Sequence, residues 1–194
     1  MMAEDALRWE KVASEEGPQL PLFKVCIDVM RHPQSAEKFE RLVLESEDWV
    51  NVVAVTRDGK SVMVEQFRFG IGDLTIEPAA GIVATGEDSL SAAKRELLEE
   101  TGYASDKWRY LGSVQPNPAF HDNLCHHWLA EDVVAVQPPE PEAGEAIRVH
   151  LMTLEELREA MRAGSLRHTL ALSALSRVYP LWELPYIQND SNDQ

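Results

Sequence analysis

Three glutamates, Glu96, Glu99 and Glu100, lie within five positions of one predicted helix, in the stretch AAKRELLEETGY at residues 92–103. Glu96 and Glu100 are spaced one helical turn apart, where like charges destabilise an exposed helix by about 0.2–0.5 kcal/mol. Carboxylate oxygens are the ligands that Mg²⁺ prefers, so the cluster is a candidate cation site. Taken alone, the same pattern is also typical of a solvated acidic helix face.

The helix that carries these glutamates is predicted over about residues 88–101. Alanine and leucine favour the helix, and no proline interrupts it. Asp88 or Ser89 is suited to cap its start, and Gly102 is suited to end it in the left-handed conformation. The glutamates therefore fall in the last turns, where the helix dipole is already negative. A bound cation would offset both the repulsion and the unfavourable dipole.

Residues before and after the cluster extend it into a longer pattern. In order, the pattern is Gly81, five residues, Glu87, seven residues, Arg95-Glu96-Leu97, one residue, Glu99-Glu100, one residue and Gly102-Tyr103. It resembles the signature of the Nudix hydrolases, in which every glycine, arginine and glutamate has this spacing. The one departure is Tyr103, which stands where the family has a bulky aliphatic residue.

The resemblance implies hydrolysis of a nucleoside diphosphate linked to another group, with Mg²⁺ as cofactor and Mn²⁺ as a substitute. It implies that the metal ligands are Ala80, through its backbone carbonyl, and the carboxylates of Glu96, Glu99 and Glu100, with Glu99 also a candidate catalytic residue. It implies structural roles for Gly81, Glu87, Arg95 and Gly102. Glu87 and Arg95 are expected to brace the loop and helix through an ion pair, and Gly81 to permit close approach to the metal site.

The segment before the signature resembles that of ADP-ribose and nucleoside diphosphate sugar pyrophosphatases. Gln66-Phe67-Arg68 and Glu77 stand where those enzymes shape the substrate pocket. Arg68 is a candidate donor to a phosphate or base, with an ordinary edge-strand ion pair as the alternative. Pro118 also fits the subgroup, and the resemblance makes Phe120 and His121 candidates for contact with the base or sugar.

An acidic, proline-rich stretch, residues 137–145, is predicted to be a loop. In ADP-ribose pyrophosphatases a mobile loop at this place delivers a glutamate as general base or outer metal ligand. The resemblance makes Glu145 the first candidate for that role and Glu142 the second. The alternative is a solvated surface turn.

Composition and charge limit the classes of partner. The formal net charge of −15 over 194 residues disfavours nucleic acid, which requires a basic surface. The sequence contains no apolar run long enough to cross a membrane. Cys26 and Cys125 match no zinc or redox spacing, and we expect a cytoplasmic protein that acts on a small nucleotide-sugar.

The order of elements predicts an α+β protein with helices packed against a mixed sheet. The resemblance makes this a Nudix fold, an α/β/α sandwich with an extra N-terminal antiparallel strand arm. We expect the arm at residues 1–48, the Nudix domain at 49–187 and a disordered tail at 188–194. The arm is predicted to form a homodimer, although an edge hairpin on a monomer fits the same sequence.

Two other functions remain open. One is pyrophosphohydrolysis of another nucleotide, such as an RNA 5′ end or cap or a dinucleoside polyphosphate; the charge of −15 argues against RNA. The other is a binding module of this fold without catalysis, against which the complete signature argues.

Overall fold

The structure, a computed structural model, describes residues 5–182, so the tail expected at 188–194 lies outside the described residues. A short 3₁₀ helix, Asp5–Leu7, precedes the first strand. The strands are β1 (Glu10–Gln19), β2 (Lys24–Arg31), β3 (Lys38–Glu45), β4 (Trp49–Thr56), β5 (Ser61–Arg68), β6 (Asp73–Glu77), β7 (Ala79–Ile82), β8 (Tyr103–Ala104), β9 (Lys107–Val114), β10 (Cys125–Ala135) and β11 (Ile147–Met152). The helices are α1 (Ser89–Thr101), α2 (Leu154–Arg162) and α3 (Thr169–Ser176).

Two sheets account for these strands. Strands β1, β2 and β3 form the antiparallel N-terminal sheet. The other eight form a mixed sheet whose central order is β11-β5-β4-β10-β8, with β4 and β10 parallel and the remaining pairs antiparallel. The predicted α+β class, mixed sheet and N-terminal strands are confirmed.

The mixed sheet is covered on both faces by helices. Because side chains alternate along a strand, Val50, Val52 and Ala54 of β4 pack towards α1. Val53 of the same strand packs towards α2 and α3, where Leu157 is fully buried. The result is the sandwich expected from the resemblance. None of the helices within residues 5–182 has the length and apolarity needed to cross a membrane.

Strands β4 and β5 pair only near their hairpin, at Ala54–Val62 and Val55–Ser61, and then diverge. Beyond that point β4 pairs with β7 and β5 pairs with β6. The sequence did not predict β6 and β7 because both are short and Pro78 separates them. The exchange of partners opens the sheet beside the predicted site.

The helix ends follow the capping signals. Asp88 accepts hydrogen bonds from the backbone amides of Leu90 and Ser91 at the start of α1, and Gly102 ends the helix at φ 74°. Thr153 and Glu156 form a capping box at the start of α2. Helix α3 ends at Ser176, ahead of Pro180, which cannot continue a helix.

We predict that Gly102→Ala destabilises the protein by more than about 2 kcal/mol. A left-handed residue with a Cβ costs about 1–2 kcal/mol, and here the added Cβ would also overlap the carbonyl oxygen of Gln137. Gly164→Ala is the matched control, because Gly164 has a similar φ of 77° and no atom within 4 Å of an added Cβ. Urea unfolding of both variants measures the difference, and equal losses would contradict this account.

Candidate active site

The carboxylates of α1 are held against Ala80 and Gly81 of strand β7. Glu100 is 1% exposed and accepts a hydrogen bond from the Ala80 backbone amide at 2.9 Å. A Cβ at Gly81 would overlap the carboxylate of Glu96. Gly81 therefore gives room for the close approach of the Glu96 carboxylate, and its φ is not unusual.

Arg95 ties this cluster together. Its Nε and Nη2 donate to the two oxygens of Glu87 at 3.2 and 3.0 Å, and Nη2 also donates to the carbonyl of Ile82 at 3.0 Å. Its Nη1 donates to Glu96 at 2.7 Å and Glu99 at 3.2 Å. The Arg95 guanidinium lowers the pKa of Glu87. The contact with Glu87 spans the loop before α1 and the helix itself.

Burial disfavours the charged forms of the carboxylates in this cluster. It raises the pKa of Glu100 to about 8, and the negative charges of Glu96 and Glu145 add to the effect. Burial likewise raises the pKa of Glu96 to about 7, against the opposing pull of Arg95. Two buried carboxylates with raised pKa values beside a third acid form an oxygen-rich site in which a cation would be stabilised.

The donor set therefore fits a hard divalent cation, although it is not arranged around a common point. Within residues 5–182 no group of three His, Cys, Asp or Glu side chains already surrounds a metal position. The reason is local: Arg95 engages Glu96 and Glu99, while the Ala80 amide engages Glu100.

A cavity of about 620 Å³ opens beside Ala80 and Gly81 of β7, where β4 and β5 diverge. Its walls come from β4, β6, β7, the loop after β5 and the start of α3. The lining residues are Leu22, Trp49, Val50, Asn51, Arg68, Gly70, Ile71, Thr75, Glu77, Ala80, Gly81, Ile82, Arg167, His168, Thr169 and Leu170. Of the predicted site residues, Arg68, Glu77, Ala80 and Gly81 thus border one cavity.

Arg68 and Glu77 form a bidentate ion pair inside this cavity. Arg68 Nε and Nη2 donate to the two Glu77 oxygens at 2.9 and 2.7 Å. His168 donates from Nδ1 at 3.0 Å, and the Thr75 hydroxyl donates as well. Burial alone would raise the pKa of Glu77, but the hydrogen bonds from His168 and Arg68 and the charge of Arg68 hold it well below its usual range.

The loop that carries Glu142 and Glu145 starts beside the end of α1. The Glu140 amide donates to the Glu99 carbonyl at 2.8 Å. Glu142 and Glu145 are exposed, and Glu145 accepts a hydrogen bond from the Glu142 amide at 3.1 Å. The charge of Glu145 acts on both Glu96 and Glu100. The structure thus places Glu145 near enough to the α1 carboxylates for its charge to raise their pKa values.

Phe120 and His121 lie away from the cavity lining. The backbone of Phe120 accepts a hydrogen bond from Leu44 of the N-terminal sheet, and His121 contacts the rings of Phe23 and Trp49. Only Trp49 of these residues borders the cavity. Their assignment to substrate contact stays a prediction.

Several residues of the cavity lining were not predicted from the sequence, among them Trp49, Asn51 and His168. Asn51 had a signal, since it is a lone polar residue within the apolar strand WVNVVAV. His168 occupies the N-cap of α3 without a side-chain capping bond, and histidine is an uncommon N-cap residue. Their shared location depends on the tertiary fold.

The part of the sequence that forms this site matches a known protein family. A family model described as NUDIX domain matches residues 47–172. The chain belongs to the Nudix family.

Nudix relatives share parts of the chain to different extents. An ADP-ribose pyrophosphatase of Bacillus subtilis (strain 168) is 36% identical over 118 residues, which are 60% of this chain and 64% of that protein. The match thus spans a little less than two thirds of that relative. An ADP-ribose pyrophosphatase of Mycobacterium tuberculosis is 27% identical over 173 residues, 88% of this chain and 83% of that one. A solved structure titled ADP compounds hydrolase has a TM-score of 0.76 at 18% identity, covering 88% of this chain and 92% of that chain, which shows the fold.

We predict that Glu77→Gln destabilises this Nudix chain by roughly 2–3 kcal/mol at pH 7. That is below the range for breaking a fully buried pair, because Arg68 and His168 are each 40% exposed. The folded pKa of Glu77 is depressed, so its contribution is complete above the unfolded value of 4.5 and is lost as pH falls below it. The difference between wild type and variant should therefore shrink below about pH 4.5.

The matched control is Glu65→Gln on β5. Glu65 also pairs with an arginine and a histidine, Arg148 and His150, but it is 21% exposed and Arg148 is 73% exposed. We expect a loss of about 1 kcal/mol or less there. Urea unfolding between pH 3.5 and 7 measures both, and equal losses at pH 7 would argue against the Glu77 network.

Proposed function

We propose that this chain is a Mg²⁺-dependent pyrophosphatase, with Mn²⁺ as a substitute, that hydrolyses ADP-ribose or a related nucleoside diphosphate sugar. The products are a nucleoside monophosphate and a sugar phosphate. The proposal rests on one observation. The end of α1 that carries the carboxylates lies against Ala80 and Gly81 of β7, and these two residues also line a cavity of about 620 Å³. That volume is in the range of small-molecule sites.

The comparisons support this substrate class. The relatives named ADP-ribose pyrophosphatase include proteins of two bacteria, and a mouse relative named ADP-sugar pyrophosphatase is 28% identical over 157 residues. Because the match spans 64% of the Bacillus subtilis relative, the substrate of this chain remains a proposal.

The residues that would hold Mg²⁺ are Glu96, Glu99 and Glu100 with the carbonyl of Ala80. When bound, the cation neutralises charge on the pyrophosphate and lowers the pKa of a coordinated water. If these carboxylates bound the cation, Arg95 would give up part of its pairing with Glu96 and Glu99 and would keep its two bonds to Glu87. Glu87 and Arg95 thus act on the geometry of the helix and not on substrate.

Two further residues serve the reaction from outside the helix. Arg68 is half free, since Nε and Nη2 are held by Glu77 while Nη1 remains to donate to a phosphate oxygen. Glu145 is the general base that accepts the proton of the attacking water. Its loop is exposed, and only its start is bonded to α1 through Glu140 and Glu99, so the loop can close over substrate.

A substrate panel tests the proposal against its alternatives. The panel contains ADP-ribose, GDP-mannose, UDP-glucose, a dinucleoside polyphosphate and capped RNA, each with Mg²⁺ and with Mn²⁺. We expect turnover of the nucleoside diphosphate sugars and little or none of RNA, since a net charge of −15 repels a polyanion. Preferred turnover of RNA or of the polyphosphate would replace the proposed substrate, and nucleotide binding without turnover would indicate a non-catalytic module.

We predict that the double variant Glu99→Gln, Glu100→Gln loses at least about 10²-fold in kcat with its fold intact. Loss of two metal ligands removes several kcal/mol of transition-state stabilisation, and each 1.36 kcal/mol is about tenfold in rate. The control is Glu159→Gln, an exposed glutamate on α2 that lies outside the site. Steady-state kinetics and circular dichroism measure both, and retained turnover with Mg²⁺ would defeat the assignment.

We predict that Glu145→Gln lowers kcat by about 10²–10⁴-fold, the usual contribution of a general base. Glu142→Gln is the matched control three residues away on the same loop. It should change kcat little, because Glu145 supplies the charge that acts on Glu96 and Glu100. The pH dependence of kcat should lose its acidic limb only in the Glu145 variant; the reverse result would make Glu142 the base.

We also propose that the enzyme is a cytoplasmic homodimer with an arm at residues 1–48 and a catalytic domain at 49–187. Exposed apolar side chains on the N-terminal sheet, among them Phe39 and Leu42, support the assembly. Both cysteines are free and buried, which suits a reducing compartment. Light scattering of the purified protein measures the assembly, and a monomer at micromolar concentration would refute it.

A further inference from the structure

The cavity has mostly apolar walls and an aromatic residue in its floor. We call Trp49 and Asn51 of β4 and Ile82 of β7 the floor of the cavity, and Leu22, Ile71 and Leu170 also line it. Leu22, Ile71 and Ile82 are 66%, 55% and 43% exposed, which is costly for apolar side chains unless a ligand covers them. A flat heterocycle fits such walls better than a hydroxyl-rich sugar, which needs many hydrogen-bonding partners.

Asn51 is the polar exception in that floor. Alternation along β4 directs its side chain to the same face as Trp49 and Val53, the face on which α3 packs. Asn51 is 3% exposed, and its Nδ2 has no hydrogen-bond partner among residues 5–182. A buried donor left unpaired costs about 1–3 kcal/mol, so an acceptor from outside residues 5–182 would stabilise this atom.

The other end of the Asn51 amide is fixed. The thiol of Cys125 donates to Asn51 Oδ1 at 3.6 Å. Burial raises the pKa of Cys125 to about 12, so the thiol keeps its proton and remains a donor at neutral pH. With Oδ1 engaged by a donor, the amide is held in one orientation and presents Nδ2 as its free group.

Glu77, a charged acceptor in the cavity lining, already has hydrogen-bond partners. Its two oxygens receive bonds from Arg68, Thr75 and His168. A ligand group that entered here would therefore find Glu77 engaged and the Asn51 amide free. The feature that the floor offers to a ligand is a hydrogen-bond donor.

We propose that Asn51 is a specificity-determining residue that donates a hydrogen bond from Nδ2 to an acceptor atom of the substrate's nucleobase. The base lies over Trp49 between the apolar side chains of the cavity, while the pyrophosphate lies beside Ala80 and Gly81 of β7. This inference rests on the proposed function, since it assigns the base end of that substrate.

Binding of nucleoside monophosphates without metal tests the inference apart from hydrolysis. Calorimetry with AMP, GMP, UMP and CMP identifies the preferred base of the wild type. Asn51→Leu, which has a similar volume and no donor, should weaken that preferred ligand by about 2- to 10-fold, the effect of one neutral hydrogen bond. The loss should appear in KM and not in kcat when turnover is measured.

Asn123→Leu is the matched control. Asn123 is also 3% exposed, but its Nδ2 donates to the Glu47 carbonyl at 3.0 Å and it does not line the cavity. We expect lower stability with unchanged affinity for the monophosphate. An equal loss of affinity in both variants would overturn the inference, because it would indicate general destabilisation.

Base analogues test the same contact in the wild type, so the inference remains falsifiable if Asn51→Leu does not fold. Each analogue replaces one ring nitrogen or carbonyl acceptor of the preferred base by a C–H group. One analogue should lose the same 2- to 10-fold on the wild type and lose nothing further on Asn51→Leu.

Unchanged binding of every analogue, or no binding of any monophosphate, would overturn the role of Asn51. Base-selective binding without hydrolysis of any nucleoside diphosphate sugar would instead defeat the proposed reaction and leave the Asn51 contact standing. The two failures are therefore distinguishable.

Discussion

The contact between the α1 carboxylates and Ala80 and Gly81 of β7 is the constraint on which the site depends. It buries Glu96 and Glu100 at the negative end of a helix, which raises their pKa values to about 7 and 8. The protein offsets part of this cost with the Arg95 guanidinium and the Ala80 amide. The uncompensated negative charge gives this edge of the cavity an affinity for positive charge. Gly81 lets the Glu96 carboxylate lie there, because a side chain at residue 81 would occupy the same place.

The exchange of strand partners forms the cavity beside these carboxylates. If β4 and β5 had paired along their whole length, the sheet would leave no opening beside Ala80 and Gly81. They part after Ala54 and Val62, and β6 and β7 line the opening. Pro78 between these two strands has no amide to donate, which suits a point where the chain leaves one partner and joins another. The cavity and the carboxylates thus share one wall.

Charge is distributed differently on the two sides of that wall. On the α1 side the carboxylates outnumber the cations, whereas inside the cavity Glu77 is matched by Arg68 and His168. The first arrangement attracts a cation from outside, and the second is complete within the protein. This difference explains why Glu77 holds Arg68 and His168 in fixed positions. Glu96 and Glu100, in contrast, are suited to binding partners that are exchanged during a reaction.

The sequence by itself determined the helix, its caps and the set of carboxylates. These are local properties: Asp88, Gly102 and the spacing of Glu96 and Glu100 act within a few residues of one another, so the pattern is visible in the chain. The mixed sheet followed from the order of the elements, and the N-terminal strands followed from the resemblance. Phe120 and His121 show the limit, because the contacts of this segment with Leu44 and Phe23 were not predicted from the sequence.

Only the tertiary structure decided which distant residues meet. Asn51, Arg68 and Glu77 lie on β4, β5 and β6, and His168 is the N-cap of α3, so their position around one cavity depends on how strands part and where α3 begins. No local preference encodes such a meeting, since burial, partner exchange and pairing of charges act between segments far apart in the chain. The carboxylate pattern of α1 was therefore visible in the sequence, whereas the cavity beside it was formed by folding.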